Sequence, residues 1–338
     1  MNLAHNTFGI DFGTNNLKIY NKNSDSILLE KNMIALENKT TLLAYGDSAY
    51  DMFEKAPANI QISYPVSSGV IADINNMKTI IKYFITDMQR SKSKTADFLV
   101  AVPSDVTDVE KRAFFDVVKD ANVKAKKIKV VEKAIADGIG LGIDVKTSQG
   151  VLVVNVGFET TEISILSLGG IVISRLIKTG GLKFDDAIRA AIRKEFGLIV
   201  GGKSAEILKM EIKEYEKENR PAIVYGRDIV TGLPMEKEVP VDLVIASMED
   251  HFNTIVDHIK LILERTPPEL GADIYRHGIY LTGGASQVSH LANKIANGTR
   301  LKVNLAEDPI HSVVNGLAKI LKDDKYKSVT YTIEGMSK

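Results

Sequence analysis

Cysteine is absent from the 338 residues, so no disulfide braces the fold and no thiolate cluster holds a metal, which fits a reducing compartment. Net charge is absent as well: 43 Lys and Arg balance 43 Asp and Glu. That balance argues against a nucleic-acid binder driven by overall charge, and no nucleic-acid partner is expected. No apolar run approaches the ~18–20 residues of a membrane span. The start, Met1-Asn2-Leu3-Ala4-His5, lacks the charged and apolar regions of a signal peptide, so a soluble cytoplasmic protein is expected. The six histidines (His5, His251, His258, His277, His290 and His311) show no metal-ligand spacing, which argues against a zinc-type centre. What is present is ordinary globular material, 44% apolar and 25% charged, in a length that allows two or three domains.

One stretch organises the rest. In Phe8-Gly9-Ile10-Asp11-Phe12-Gly13-Thr14-Asn15-Asn16-Leu17-Lys18-Ile19-Tyr20 an apolar run enters a polar turn and an alternating run leaves it, which predicts a β-hairpin. Gly13 permits a tight turn, and the tip offers N–H, hydroxyl and amide donors without bulk, which suits a phosphate. Asp11 closes the first strand where a carboxylate could hold a cation or its waters. A second copy follows at Val151 to Ile165, with Asn155, Gly157, Phe158, Glu159, Thr160 and Thr161 around its tip. Two hairpins of one design predict a duplicated domain with two tips facing each other across a cleft.

Between and after them the pattern alternates groups of strands with helices, which predicts two α/β domains with mixed sheets. Asp73 to Met88 is an amphipathic helix with Met77, Ile80, Ile81, Phe84, Ile85 and Met88 on one face, a face suited to packing on a sheet. Thr107-Asp108-Val109-Glu110 has capping-box spacing and opens a helix to about Ala121. Ala134 to Leu141, Phe184 to Phe196, Ser204 to about Asn219 and Val244 to Leu263 also read as helices, with Ser204 as an N-cap. The tail Lys322 to Lys338 is polar and expected to be mobile.

Three motifs have a functional and a plain reading. Thr282-Gly283-Gly284-Ala285, after a strand, suits a nucleotide sugar or α-phosphate, or is simply a strand-helix turn. Gly197 to Ser204 spells the P-loop string G-x-x-x-x-G-K-[ST], but a charged helix leads into it where a P-loop needs a buried strand, so it reads as a decoy. Glu206 and Lys209 share a helix face and by default form a solvated pair.

Taken together these residues resemble the actin and heat-shock-chaperone ATPase superfamily, and within it the MreB family of bacterial actins. The strings that carry the resemblance are Gly69 to Asp73, Val102 to Thr107, Ser167 to Val172, Gly180 to Asp185, Gly226 to Pro234 and Leu263 to Leu270. The resemblance implies an α/β fold of two lobes and four subdomains around a nucleotide cleft that binds ATP or ADP with Mg²⁺. It assigns residues 1–31, 66–142 and 314–338 to subdomain IA and 32–65 to IB. Residues 143–181 and 246–313 fall in IIA, and 182–245 in IIB. Gly13, Thr14, Asn15 and Asn16 resemble the first phosphate loop, Asp11 the magnesium-side carboxylate, and Gly157, Phe158, Glu159, Thr160 and Thr161 the second phosphate loop. Glu206 and Lys209 resemble the pair flanking the adenosine, and Gly283, Gly284, Ala285, Ser286 and Gln287 the loop closing over it.

Two departures stand out. The family's second loop usually reads Asp-x-Gly-Gly-Gly-Thr, against Asn155-Val156-Gly157-Phe158-Glu159-Thr160 here. Its Glu-Glu-Pro-Met-Ala-Ala-Ala motif is here Glu132-Lys133-Ala134-Ile135-Ala136-Asp137-Gly138, which puts Lys133 where a glutamate would activate water. A protonated ammonium accepts no proton, so weak or lost hydrolysis is expected unless Glu132 or Asp73 substitutes. The resemblance further implies a head-to-tail filament with itself and with paralogous MreB proteins, serving cell shape or motility. It places the protein in the cytoplasm or in a membrane-associated cytoskeleton. The loop Gln89 to Asp97 is polar and basic, so direct membrane binding through it is expected to be weak (Lys92, Lys94) or absent. The alternatives are a filament protein of the same family that hydrolyses ATP normally, a small-molecule kinase of the same fold, and a P-loop enzyme built on Lys203.

Overall fold

The computed structural model describes residues 5–89, 95–119 and 124–333. The chain folds into two compact units, Met1–Val153 with Ser164–Leu176 and Ile310–Lys338, and Val154–Ile163 with Ile177–Pro309.

Two five-stranded sheets carry the fold. The first runs, edge to edge, Lys124–Glu132, Thr95–Val102, Asn6–Phe12, Asn16–Asn21, Ser26–Lys31. Its hairpin strands are antiparallel, whereas Thr95–Val102 pairs parallel to both its neighbours. The second runs Val303–Leu305, Ile279–Thr282, Val151–Val156, Thr161–Ser167, Gly170–Ile177. Both sheets therefore have a hairpin and a third strand on one side and two later strands on the other. The duplication expected from the two hairpins is present in the strand order.

Two small sheets are separate from these. Ile34–Glu37 lies between Thr41–Tyr45 and Ile60–Ser63, and Ala222–Asp228 lies between Leu198–Ile199 and Pro234–Val239. In the second, Ala222–Asp228 and Pro234–Val239 form a hairpin around Gly232.

In the first unit the helix Ile74–Met88 buries Met77, Ile80, Ile81, Phe84 and Ile85, with Asp73 as its N-cap accepting from the Asn76 amide at 2.9 Å. These residues join Phe8, Ile10, Phe98, Val100 and Phe114 in one apolar core. The capping box forms as spaced: Glu110 accepts from the Thr107 amide at 2.7 Å, and Thr107 accepts from the Glu110 amide at 3.3 Å. That helix is Asp108–Lys119, and the expected end at Ala121 lies outside the described residues, as do Lys92 and Lys94.

The helices Lys133–Gly140 and Ser312–Lys322 touch backbone to backbone. A Cβ on Gly316 would lie 1.7 Å from the Ala136 carbonyl oxygen, and one on Gly140 would lie 1.8 Å from that of Ser312. Only glycine permits that approach. In the second unit the long helix Val241–Glu264 packs Phe252 edge-on against Phe184 of the helix Gly181–Phe196, with ring centroids 5.1 Å apart.

Two expectations are corrected. Ser204 is not an N-cap: the helix runs Gly202–Lys217, its N-cap is Gly201 with no side-chain cap bond, and Ser204 lies inside the first turn. The tail is not free up to residue 333. Asp324–Val329 forms a short 3₁₀ helix, and Tyr331 makes an antiparallel bridge with Val130 through N–H···O bonds of 2.9 and 3.0 Å. Buried Val329 and Ile333 anchor it, an alternation of apolar residues that the surrounding charge hid.

Candidate functional site

The register of the first hairpin sets Asp11 directly across from Lys18. Lys18 Nζ donates to Asp11 Oδ2 at 2.9 Å, and Lys133 Nζ lies 3.6 Å from Asp11 Oδ1. Asp11 is 2% exposed. Burial pushes its carboxyl upward, but the ammoniums of Lys133 and Lys18 outweigh that and hold it below its usual range. The tip above is tightly made. A Cβ on Gly13 would lie 2.5 Å from the Asn16 carbonyl oxygen and 3.7 Å from Lys18 Nζ, so the turn needs glycine and the Lys18 ammonium sits directly beside it.

Asn32 fixes the tip from behind. It is fully buried, its Nδ2 donates to the Gly13 carbonyl at 2.8 Å, and its amide donates to the Asn15 carbonyl at 2.9 Å. Lys31 Nζ donates to Asn15 Oδ1 at 3.2 Å. Neither Asn32 nor Lys31 was singled out by sequence; Lys31 ends the strand Ser26–Lys31 and Asn32 follows it. Thr14 is buried, whereas Asn15 and Asn16 are half-exposed.

Asp11 does not fit the part of a magnesium ligand. Both carboxylate oxygens already face an ammonium, and a divalent cation brought there would meet two like charges. Among the described residues, no group of three or more His, Cys, Asp or Glu could hold a metal ion.

Lys133 opens the helix Lys133–Gly140 at the end of the strand Lys124–Glu132. The preceding Glu132 is committed elsewhere. Its Oε1 accepts from Lys111 Nζ at 2.9 Å and from the Tyr331 hydroxyl at 2.7 Å. Burial, then the Glu132 charge, pushes the Tyr331 phenol far above its usual range. Glu132 lines a cavity of about 480 Å³ with Asp105, Ile135, Gly170 and Tyr331. Asp73 is the exposed N-cap described above. For the alternative in which Glu132 or Asp73 replaces the glutamate missing at 133, Glu132 Oε1 already accepts from Lys111 and Tyr331, and Asp73 caps a helix.

In the second unit the candidate residues converge on Gly181. A Cβ there would lie 3.2 Å from Lys209 Nζ, 3.3 Å from the Ala285 Cβ and 3.8 Å from the Gly157 carbonyl oxygen. The tip closes on itself, with the Gly157 amide donating to the Thr160 carbonyl at 2.8 Å. The carbonyls of Gly157 and Phe158 accept from the Gly181 and Leu182 amides at 3.0 and 2.7 Å, which ties the tip to the start of the helix Gly181–Phe196. Glu159 and Thr160 are half-exposed. Thr161, which the resemblance groups with the second phosphate loop, is fully buried, and its hydroxyl donates to the Thr179 carbonyl at 2.7 Å.

Lys209 is likewise not in a solvated pair. It is 4% exposed and forms an ion pair with Asp185 at 2.7 Å while donating to the Gly181 carbonyl at 3.1 Å. Burial raises the Asp185 carboxyl to about 6, against the lowering by Lys209, and the nearby half-buried Glu206 raises it further. Asp185 appeared in sequence only within a longer string; nothing local marks it as the partner of a lysine on the next helix.

Gly283 has φ +84°, and a Cβ there would lie 2.3 Å from the Val156 carbonyl oxygen and 2.7 Å from Asn155 Oδ1. The 3₁₀ turn Gly284–Gln287 follows, pinned by the Ser286 hydroxyl donating to the Gly283 carbonyl at 2.7 Å, with Gln287 exposed. The P-loop-like string places Gly197 as the left-handed C-cap of the helix Gly181–Phe196 and Lys203 in the first turn of the next. The strand leading to Lys203 is the two-residue edge strand Leu198–Ile199, which does not make a P-loop.

Two sheets of one strand order, each with a polar hairpin tip, define an actin-like α/β fold. The model of the MreB/Mbl protein family matches residues 5–329, and the chain belongs to that family. It is 33% identical over 319 residues to the cell shape-determining protein Mbl of Bacillus subtilis (strain 168), covering 93% of this chain and 95% of that one. It is 32% identical over 326 residues to the cell shape-determining protein MreB of Escherichia coli (strain K12), covering 94% and 93%. The crystal structure of MreB5 of Spiroplasma citri bound to AMPPNP superposes with TM-score 0.88 at 33% identity, covering 95% of this chain and 97% of that one. The MamK double helical filament, at 19% identity and TM-score 0.79 over 94% and 99%, shares the fold.

Proposed function

We propose that this chain is an ATP-binding filament protein of the MreB family that serves cell shape or motility and hydrolyses its nucleotide slowly or not at all. Nucleotide binding is supported by the first tip, where Gly13, Thr14 and Asn15 are locked by Asn32 beside two ammoniums, and by the AMPPNP and ADP bound to the similar Spiroplasma citri MreB5. Self-association is supported by the filament that the fold relative MamK forms; head-to-tail contact is heterologous and gives an open polymer. Paralogous MreB proteins are the natural further partners, and direct membrane contact is weak. Among the described residues no helix is long and apolar enough to cross a membrane. The four-subdomain division stated above is part of this reading; the two small sheets fall within residues 32–65 and 182–245.

The observation that carries weak hydrolysis is Lys133. The position opening the helix beside Asp11 holds a cation, and Oε1 of the adjacent Glu132 accepts from Lys111 and Tyr331. No positioned base is left there, a loss that typically lowers rate ~10²–10⁴-fold. Phosphate release from Mg·ATP by the purified chain is expected to be near background, and Lys133→Glu to raise it by a comparable factor. Fast release by the unmutated chain rejects the reading. Negative-stain microscopy with ATP, ADP and no nucleotide tests the filament.

A further inference from the structure

We infer that this chain binds the nucleotide's polyphosphate without a divalent metal, using the Lys18 and Lys133 ammoniums on Asp11 as the counter-charge. The inference rests on the nucleotide-binding reading above and adds to it which form of ATP the site prefers.

Three observations carry it. The carboxylate that would face a hydrated cation has both oxygens against ammoniums, at 2.9 and 3.6 Å. The three groups together carry one net positive charge, so the ground under the first tip is cationic before any ligand arrives. Lys18 Nζ lies within 3.7 Å of where a Gly13 Cβ would be, directly beside the tip whose amides would meet phosphate, and the Lys133 side chain is 22% exposed. The register that pairs Asp11 with Lys18 and the glycine-packed helix that starts at Lys133 hold both cations in place without ligand.

Electrostatics then sets a preference. A divalent metal bound to the nucleotide partly neutralises the polyphosphate, and near fixed ammoniums it adds repulsion at short range. Free ATP⁴⁻ keeps its full charge for the two lysines. By linkage, the factor by which Mg²⁺ changes ATP affinity equals the factor by which the protein changes Mg²⁺ affinity for ATP. The site should therefore loosen Mg²⁺ from the nucleotide it holds, or leave it unchanged.

The test is the dissociation constant of a fluorescent ATP analogue on the full chain, measured with excess Mg²⁺ and with EDTA. The expected result is equal or tighter binding in EDTA. Binding that weakens about tenfold or more in EDTA, within the usual range of coupling between sites, overturns the inference while leaving nucleotide binding intact. No binding in either condition overturns both. Lys133→Glu sets a second carboxylate beside Asp11 and is expected to make binding metal-dependent, with a loss of about tenfold in EDTA. Lys133→Gln keeps the side chain's bulk without charge and should lie between the two. Near-ultraviolet circular dichroism checks that each variant is folded, and if Lys133→Glu is not, the ordering of the unmutated chain and Lys133→Gln decides alone.

Discussion

The two hairpin tips are built on one strand order and held by different means. At the first, charge is brought to the tip: Asp11, last but one in its strand, faces Lys18 and Lys133, and Asn32 clamps the turn. At the second, the equivalent place is the neutral Asn155, and the tip is tied by backbone amides to the start of the helix Gly181–Phe196. Its charged pair, Asp185 with Lys209, has withdrawn beneath that helix start, buried. Duplication preserves topology because strand order is set by apolar pairing, whereas a single polar substitution at a tip changes its chemistry at little cost to the fold.

If the second tip depends on its buried pair, Asp185→Ala should be the most damaging change. It strands the Lys209 ammonium, and loss of ~3–5 kcal/mol is expected at pH 7 by denaturant titration. A loss under ~1 kcal/mol would mean the pair is incidental to that tip. The pH dependence sharpens the same point. Asp185 titrates at about 6 in the folded chain against an ordinary 3.8, so between these values the folded state holds a proton that the unfolded state has lost. Stability then falls as pH rises from about 4 to about 6, by a few kcal/mol at most, and is level above. Asp185→Asn should remove that slope, and a slope unchanged in the variant would break the assignment. For the first tip, Asn32→Ala leaves the Gly13 carbonyl without its side-chain donor and should cost ~1–3 kcal/mol. It should also weaken nucleotide binding, which Asp185→Asn should affect less; the reverse order would undo the contrast between the tips.

Much of this was legible in the chain. The hairpins, the capping box at Thr107 and Glu110, and the apolar face of Ile74–Met88 are local, and each was readable from spacing over a few residues. The cross-strand pair Asp11 and Lys18 was implicit in the hairpin register, although its meaning depended on Lys133, which lies more than a hundred residues away. Asp185 with Lys209, and Glu132 with Lys111 and Tyr331, were not legible for the same reason: their partners come from other elements, and each residue alone looks like a surface charge. Tyr331 in particular sits in a run of lysines and threonines that reads as a loose end, and only the bridge to Val130 shows it docked.

That docking joins two parts of the molecule mechanically. Glu132 and Lys133 are neighbours in sequence, one grasped by the phenol near the chain's end and the other reaching toward the carboxylate under the first tip. The helix that begins there cannot slide on Ser312–Lys322, because glycine contacts leave no gap to move through. A pull on residues 329–333 is thus transmitted, through a joint one peptide bond long, to the Lys133 ammonium beside Asp11.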